Sequence, residues 1–406
     1  MQKLLMPCRQ MGLAALLLSL TSFTHADWHQ WLGAQRNGIS TETGLIKSWG
    51  QDGPNVTWRV QLGEGYSGIS YAGEKLFTMF SDEESEYLAC YNTSDGTEVW
   101  RFRTDDFFTN DRGNGPRSTP TLDGNLVFVL GAKGKLHAIE AENGRPVWMH
   151  DLVETFGSKV PGWGFASSPL VVDDYLVAEV GGTENRSLMA FNKQNGEVVW
   201  ASHSDEAGYS SPVFTTIAGI PQVVHLTLKT LLAVAPDSGE VLWSYDWPEG
   251  INIATPLVLP NDRVFISCSY DKGAVLLQIN KQGDKLVAEE VWKNRKMKNH
   301  FNPSISYKGY LYGFDNAIFK CMKSETGEDV WEKRGFGKGS VILADSMLVL
   351  LSDNGKLALI EATPAAYTEY VTHQVLKDLC WTIPTLQEKR LYLRNHTEML
   401  CLDLSP

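Results

Sequence analysis

AFNKQNGEVVW, running from Ala190 to Trp200, is the stretch that decides the fold. An apolar strand enters a turn ending in Gly196, and a tryptophan follows four residues later. Apolar residues alternate on both sides of the turn, as in a half-buried hairpin. The glycine falls where such a turn needs positive φ. The indole lies on the returning strand, where its broad face would wedge between neighbouring units. The same pattern appears as CYNTSDGTEVW (Cys90 to Trp100), AIEAENGRPVW (Ala138 to Trp148), AVAPDSGEVLW (Ala233 to Trp243) and CMKSETGEDVW (Cys321 to Trp331). Two copies are degraded. QINKQGDKLVAEEVW (Gln278 to Trp292) has a longer turn, and LIEATPAAYTEYV (Leu359 to Val371) has valine in place of tryptophan.

A second marker precedes each copy: a small residue, usually followed by proline, then another apolar strand. Ser118-Thr119-Pro120, Ser167-Ser168-Pro169, Ser210-Ser211-Pro212 and Ala254-Thr255-Pro256 are the clearest. Each unit therefore holds four short strands, the content of one propeller blade. The tryptophan-type positions are Trp58, Trp100, Trp148, Trp200, Trp243, Trp292, Trp331 and Val371, spaced 39 to 52 residues apart. That spacing predicts an all-β, eight-bladed β-propeller of four-stranded antiparallel blades. A seven-bladed ring is the rival, because the unit around Val371 is weak. The chain ends on Met399 to Leu404, a strand with no turn or tryptophan after it, while Val56 to Val60 offers the missing strand. The last blade should thus be completed by both termini, which removes an exposed sheet edge.

Composition agrees with a folded repeat protein. The chain has 406 residues, 43% hydrophobic and 21% charged, which excludes disorder, collagen-like sequence or a coiled coil as its main structure. Net charge is −12, so a basic nucleic-acid footprint is absent. Lys3 and Arg9 precede an apolar run from Met11 to Leu20, and Thr24-His25-Ala26 offers small residues before Asp27. Residues 1–26 therefore read as a secretory signal cleaved after Ala26. Residues 27–55 read as an N-terminal extension and 56–406 as the propeller. The expected location is the periplasm or the exterior, with a mature net charge of −14 once Lys3 and Arg9 are lost. No later apolar stretch is long enough to span a bilayer, and a monomer is expected.

The A-x-D/N-x-x-x-G-x-x-x-W unit resembles the tryptophan-docking repeat of pyrroloquinoline quinone (PQQ)-like repeat propellers. The opening Trp28-x-x-Trp31-x-Gly33-x-x-Arg36-x-Gly38-Ile39-Ser40 is similar to the start of exported members of that family. The resemblance implies two kinds of relative: alcohol dehydrogenases carrying PQQ and calcium, and cofactor-free propellers, including a lipoprotein that helps assemble outer-membrane barrels. The dehydrogenases carry adjacent cysteines, and no Cys-Cys pair occurs here. Their calcium-ligand motifs have no counterpart that can be aligned. The expectation is therefore a binding scaffold for a protein segment or glycan, with no bound cofactor and no metal. The alternative is a divergent quinoprotein oxidoreductase acting on alcohols or sugars. Cys90, Cys321 and Cys401 stand where sister units carry Ala138, Ala190 and Ala233, as small buried residues would. A Cys380–Cys401 disulfide remains a geometric option.

The repeat register also places a candidate site. The loop from each tryptophan to the next small-residue marker should surround one mouth of the channel, and loops carry function more often than strands do. Arg101 to Arg117 contributes Arg112, Asn114 and Arg117. Arg117 would grip a carboxylate, a sulfate or a backbone carbonyl, or else form an inter-blade salt bridge. Met149 to Ala166 contributes Lys159 and Trp163. Lys298, His300 and Asn302 form a polar cluster in which His300 could act as a base or be a hydrogen-bonded structural residue. Lys338 completes the set. Tyr66, Tyr209, Trp247 and Trp381 lie in comparable loops and with Trp163 would form an aromatic mouth. Arg117, Lys159, Lys298 and Lys338 together predict a positive rim on an acidic disk.

Overall fold

In the computed structural model, which describes residues 28–406, eight four-stranded antiparallel sheets form a closed ring. The signal-peptide reading of residues 1–26 lies outside the described residues. Blades 1 to 7 occupy residues 70–106, 121–151, 170–202, 213–246, 257–294, 305–334 and 340–374. Blade 8 joins residues 385–403 to Asn55–Gln61, the first strand among the described residues. That strand pairs antiparallel with the last one, Glu398–Asp403. The ring is closed by both termini, and eight blades replace the seven-bladed alternative.

The middle strands read as unbroken apolar runs because blades pack on both of their faces. Leu126–Leu130 and Met347–Leu351 are buried at every position. The outermost strands alternate. In Val198–Ser202, Trp200 is buried while Val198, Val199 and Ala201 face water. Register explains the small residue that opens each unit. Ala190 lies directly across from Trp200, Ala138 from Trp148, Ala233 from Trp243, Cys90 from Trp100 and Cys321 from Trp331. Cys401 stands opposite Trp58 in the same way, although those two come from opposite ends of the chain. Small side chains there leave room for the indole. The described cysteines are all buried and free, so Cys380 and Cys401 do not pair.

All the docking indoles but Trp243 reach forward into the following blade. Trp58 donates to Thr93 O at 2.8 Å, Trp148 to Lys193 O at 3.0 Å, Trp200 to Pro236 O at 2.8 Å and Trp292 to Ser324 O at 3.0 Å. The ring then lies on the glycine of that turn. Gly239 has φ +71°, and a Cβ there would stand 2.6 Å from Trp200 Cε3, so both backbone and space demand glycine. Trp243 departs from this pattern and donates to Gln222 Oε1 in its own blade at 2.6 Å.

The hydroxyl-proline markers stitch the inner strands together. Gly68 N–H donates to Thr119 Oγ1 at 3.1 Å, Thr119 N–H to Ser168 Oγ at 2.9 Å and Ser168 N–H to Ser211 Oγ at 2.9 Å. Each hydroxyl accepts a backbone donor from the blade before it, which otherwise would be buried unpaired.

The N-terminal extension closes one end of the channel. Trp28 O accepts Tyr71 N–H and His29 O accepts Leu122 N–H, both at 2.9 Å. Arg36 is buried on the axis. Its guanidinium donates to Ser168 O at 3.0 Å, to Pro212 O at 2.9 Å and to Pro169 O, tying blades 3 and 4 to one side chain. Further along, Ile39 bridges Leu343, and Ile46 N–H donates to Leu404 O at 2.9 Å.

Candidate functional site

The opposite mouth is an open cup of about 410 Å³. All eight inter-blade loops supply lining residues. The loop after blade 8 gives Tyr66, that after blade 1 Arg112 and Arg117, and those after blades 2 and 3 Trp163 and Tyr209. Ile251 and Ile253 follow blade 4, His300, Phe301 and Asn302 follow blade 5, Lys338 follows blade 6 and Trp381 follows blade 7. Tyr270 enters from a turn within blade 5, and Trp31 of the extension joins from below, fixed by its N–H to Thr255 Oγ1 at 3.0 Å.

The rings form a continuous run along the cup, because Tyr270 lies 5.2 Å from His300 and His300 lies 4.0 Å from Phe301, centroid to centroid. Trp163 lies 5.4 Å from Tyr209 and 6.2 Å from Tyr270, centroid to centroid. At the other end of that run, Phe301 stacks on Trp381 at 4.2 Å, with Tyr66 at 5.3 Å from the same indole. Glycine makes the loop around Arg117 possible: a Cβ on Gly113, at φ +123°, would collide with the Tyr66 hydroxyl. Arg117 is held by the carbonyls of Gly113 and Gly115 and lies over the Phe108 ring at 4.9 Å. Burial lowers its pKa. Arg117 forms no inter-blade salt bridge among the described residues, and the carbonyls it holds belong to its own loop.

Arg112, Lys338 and His300 converge on one edge. Burial, then the nearby charges of Lys338 and Arg112, push the His300 imidazole down to about 4. It is therefore neutral at ordinary pH, with Nε2 hydrogen-bonded to Tyr270 Oη at 3.0 Å. Lys338 is also pushed down, by burial and by Arg112, against the opposing pull of Asp353. No Asp or Glu lines the cup among the described residues. Asn302 is buried with neither amide atom paired, and His300 Nδ1 also lacks a partner.

Several sequence candidates lie elsewhere. Asn114 donates to Glu64 Oε2 at 2.7 Å and accepts from Asn110 N–H, bracing the loop without lining the cup. Lys159 is exposed and pairs with Glu206 at 2.5 Å. Lys298 pairs with Asp315 at 3.5 Å. Neither lysine lines the cup, so the expected four-residue positive rim is corrected to Arg112, Arg117 and Lys338. Trp247 is buried and donates to Asn252 Oδ1 at 3.2 Å, a loop anchor and not part of the mouth. Tyr270, Phe301 and Trp31 were missed. Phe301 stood beside two named candidates, and Trp31 lay in the quoted opening motif, but its entry from the far end of the channel has no signature in the repeat register.

A PQQ–calcium centre can be tested against these residues. Calcium takes six to eight oxygen ligands, with carboxylates prominent. The cup offers three cationic side chains where those carboxylates would be needed. Among the described residues, no group of three or more His, Cys, Asp or Glu is placed to hold a metal. The donor set does not fit calcium.

Fold and repeat together define a PQQ-like repeat β-propeller. The chain belongs to that family: its residues 42–129 and 85–333 match the family model described as outer membrane protein assembly factor BamB. It is 27% identical over 157 residues to the outer membrane protein assembly factor BamB of Shewanella oneidensis, covering 36% of each chain. It is 25% identical over 234 residues to the quinoprotein alcohol dehydrogenase PedH of Pseudomonas putida, covering 54% of this chain and 34% of that one. These alignments span about a third of each relative's own length. Among solved structures, a europium-containing methanol dehydrogenase superposes with a TM-score of 0.68 at 12% identity, covering 92% of this chain and 98% of that one. Among the described residues, no helix is long and apolar enough to cross a membrane.

Proposed function

We propose that this protein is an exported binding scaffold that holds an acidic ligand, a protein segment or an anionic glycan, at the open mouth of the ring. The carrying observation is the cup itself: aromatic walls, three cationic side chains and no lining carboxylate, in a protein whose net charge is −12. A basic spot in an acidic molecule selects anions by focusing the field within low-dielectric walls. His300, held neutral and less basic by burial and then by two cations, is a poor proton acceptor, and no carboxylate stands beside it in the lining to serve as general base. The family membership and the BamB relative support an assembly role over catalysis. PedH supports the competing reading, a quinoprotein oxidoreductase, which the donor set opposes. Titrating the purified protein with PQQ and calcium while recording quinone absorbance separates the two. Saturable binding with dye-linked alcohol oxidation would overturn the scaffold reading. Binding of an acidic peptide or glycan that weakens with added salt, and no quinone uptake, is the expected result.

A further inference from the structure

The end of the ring away from the cup is only half covered. The N-terminal extension meets the innermost strands there at one repeated position, the second residue after the marker proline or its counterpart. Tyr71 N–H of blade 1 donates to Trp28 O, Leu122 N–H of blade 2 to His29 O and Leu343 N–H of blade 7 to Gly38 O, each at 2.9 Å. Tyr71, Leu122, Leu343 and the blade 8 counterpart Leu386 are all buried. The same position in blades 3, 4, 5 and 6 is Val171, Phe214, Val258 and Ser306. None of these is buried, and the described residues of the extension give none of their N–H groups an acceptor.

Strand length singles out blade 4. The innermost strands of blades 1, 2, 3, 5, 6 and 8 have three residues each. Those of blades 7 and 4, Ser340–Ala344 and Val213–Ile217, have five. In blade 7 the extension lies alongside the long strand: Ile39 bridges Leu343 in parallel, and Ser40 N–H donates to Leu343 O at 2.8 Å. In blade 4 the strand pairs with Ile220–Leu226 and has no strand on its other edge. Arg36 already takes Pro212 O on that edge, so the outward-facing groups further along belong to Phe214 and Thr216. Val213 to Ile217 is rich in β-formers and carries neither charge nor proline, the devices that blunt an edge. Phe214 is 42% exposed, where Tyr71 and Leu122 are 4%. An open edge beside an exposed ring supplies both parts of a strand-addition site, main-chain bonds for affinity and a side chain for selectivity.

Charge sets the chemistry of the occupant. A polar cavity of about 280 Å³ opens where the cover ends, between His29 and Gln30 of the extension and Val171 of blade 3. Asp123 and Asp173 line it. Lys193 pairs with Asp123 at 2.7 Å, while the Asp173 carboxylate has no ion pair among the described residues.

We propose that this uncovered half takes up an extended segment of a partner protein as an added strand on the free edge of Val213–Ile217, with an apolar side chain against Phe214 and a basic one toward Asp173 on the neighbouring blade. The segment does for blade 4 what residues 38–40 do for blade 7. The site is separate from the cup, whose lining includes neither Phe214 nor Asp173, and it does not depend on the ligand held there.

The test is residue-resolved hydrogen exchange of the purified protein with a blocked peptide of alternating valine and threonine flanked by lysines. Exchange at Phe214 and Thr216 should slow at least tenfold on adding the peptide. The same peptide N-methylated at alternate amides should give no protection, and replacing its lysines by glutamate should weaken binding at least threefold. Phe214→Ser should weaken binding at least fivefold by fluorescence anisotropy. Thr216→Pro, which removes one outward N–H from an edge position, should weaken it at least tenfold, with melting temperatures checked for both variants. Absence of protection at millimolar peptide overturns the proposal, as does protection confined to the outermost strands or to the cup loops. Slow exchange of Phe214 and Thr216 in the free protein also overturns it, since the edge would already be filled. So does self-association that is lost in Phe214→Ser, which would make the edge an interface between copies of this chain.

Discussion

The junction between blades 3 and 4 and the two junctions flanking blade 8 solve one packing problem with different parts. At the first, Trp200 lies on Gly239 and donates to Pro236 O. At the junction from blade 7 to blade 8 no such turn exists, because the outer strand of blade 8 comes from the far end of the chain. The tryptophan position there is Val371, half-buried against the cluster that includes Ile46 and Trp49 of the N-terminal extension. Blade 4 makes the same point within the ring. The hairpin of blade 5 is long, Gly273–Gln282 paired with Lys285–Asn294, and Trp243 turns to Gln222 in its own blade. The indole is kept where a glycine turn with a free carbonyl receives it, or where a local acceptor replaces that carbonyl. At the seam from blade 8 to blade 1 a further device appears. Arg394, fully buried, donates to Ser67 O, Met79 O and Gly65 O at 2.8–3.2 Å and to Thr78 Oγ1 at 2.9 Å. The C-terminal strands of blade 8 are not the ones the chain joins to blade 1, and this buried guanidinium ties them to it.

The largest effect should come from breaking the seam. Deleting Met399 to Pro406 removes the strand between Asn55–Gln61 and Arg390–Arg394 and leaves both without their shared partner. The whole ring should lose cooperative unfolding, and a truncated protein with an unchanged melting temperature would refute the shared blade. Arg394→Met comes next. It strands several buried carbonyls, each worth about 1–3 kcal/mol, and circular dichroism melts should show a loss near the top of that sum or beyond any single tryptophan change.

Ordinary junctions should be less costly to break. Trp200→Ala is expected to lose about 3–5 kcal/mol, as buried aromatic truncations do. Trp163→Ala, in a loop at the cup, should lose far less stability while abolishing ligand capture. Urea denaturation of both variants checks the ordering. A loop mutant that proved the more destabilising would collapse the distinction between scaffold and site. Val371→Trp sharpens the comparison at the small end. It should bring no stability, because blade 8 presents no turn carbonyl to receive the indole; a clear rise in melting temperature would mean that glycine turns are not what the tryptophans need.

The ring and its closure were legible because every blade repeats one pattern of small residue, glycine and tryptophan. Those residues answer to local geometry, and local geometry is written locally. The mouth was legible in part for the same reason: register alone put Arg112, Arg117, Trp163, Tyr209, His300, Asn302, Lys338 and Trp381 in loops that line the cup. Register says which loop a residue is in, not which way it points. Lys159 and Lys298 sit in the right loops and turn to Glu206 and Asp315 instead. The structural roles of Arg36 and Arg394 were not legible, since most of their partners are backbone carbonyls on other blades, which carry no side-chain signature.

The smallest predicted effect links stability to the cup. His300 is held at about 4, below its usual value near 6.5, by burial and by Lys338 and Arg112. Between those two values the unfolded chain takes up a proton that the folded one refuses, so stability should be full above pH 6.5 and fall as pH drops toward 4. Glu86 works the other way. Burial, with Asp105 nearby, lifts it to about 7, so its contribution falls as pH rises from the ordinary carboxylate range to neutrality. A melting curve mixes the two, but imidazole NMR resonances do not. A bound carboxylate at Arg112 and Lys338 would cancel the repulsion and raise the His300 pKa. By linkage, the same ligand must then bind more tightly as pH falls through that range. The expected result is an upward shift of the His300 titration on adding an acidic peptide, smaller in Lys338→Gln. If His300 titrates identically with and without the acid, the carboxylate is not bound at this edge of the cup.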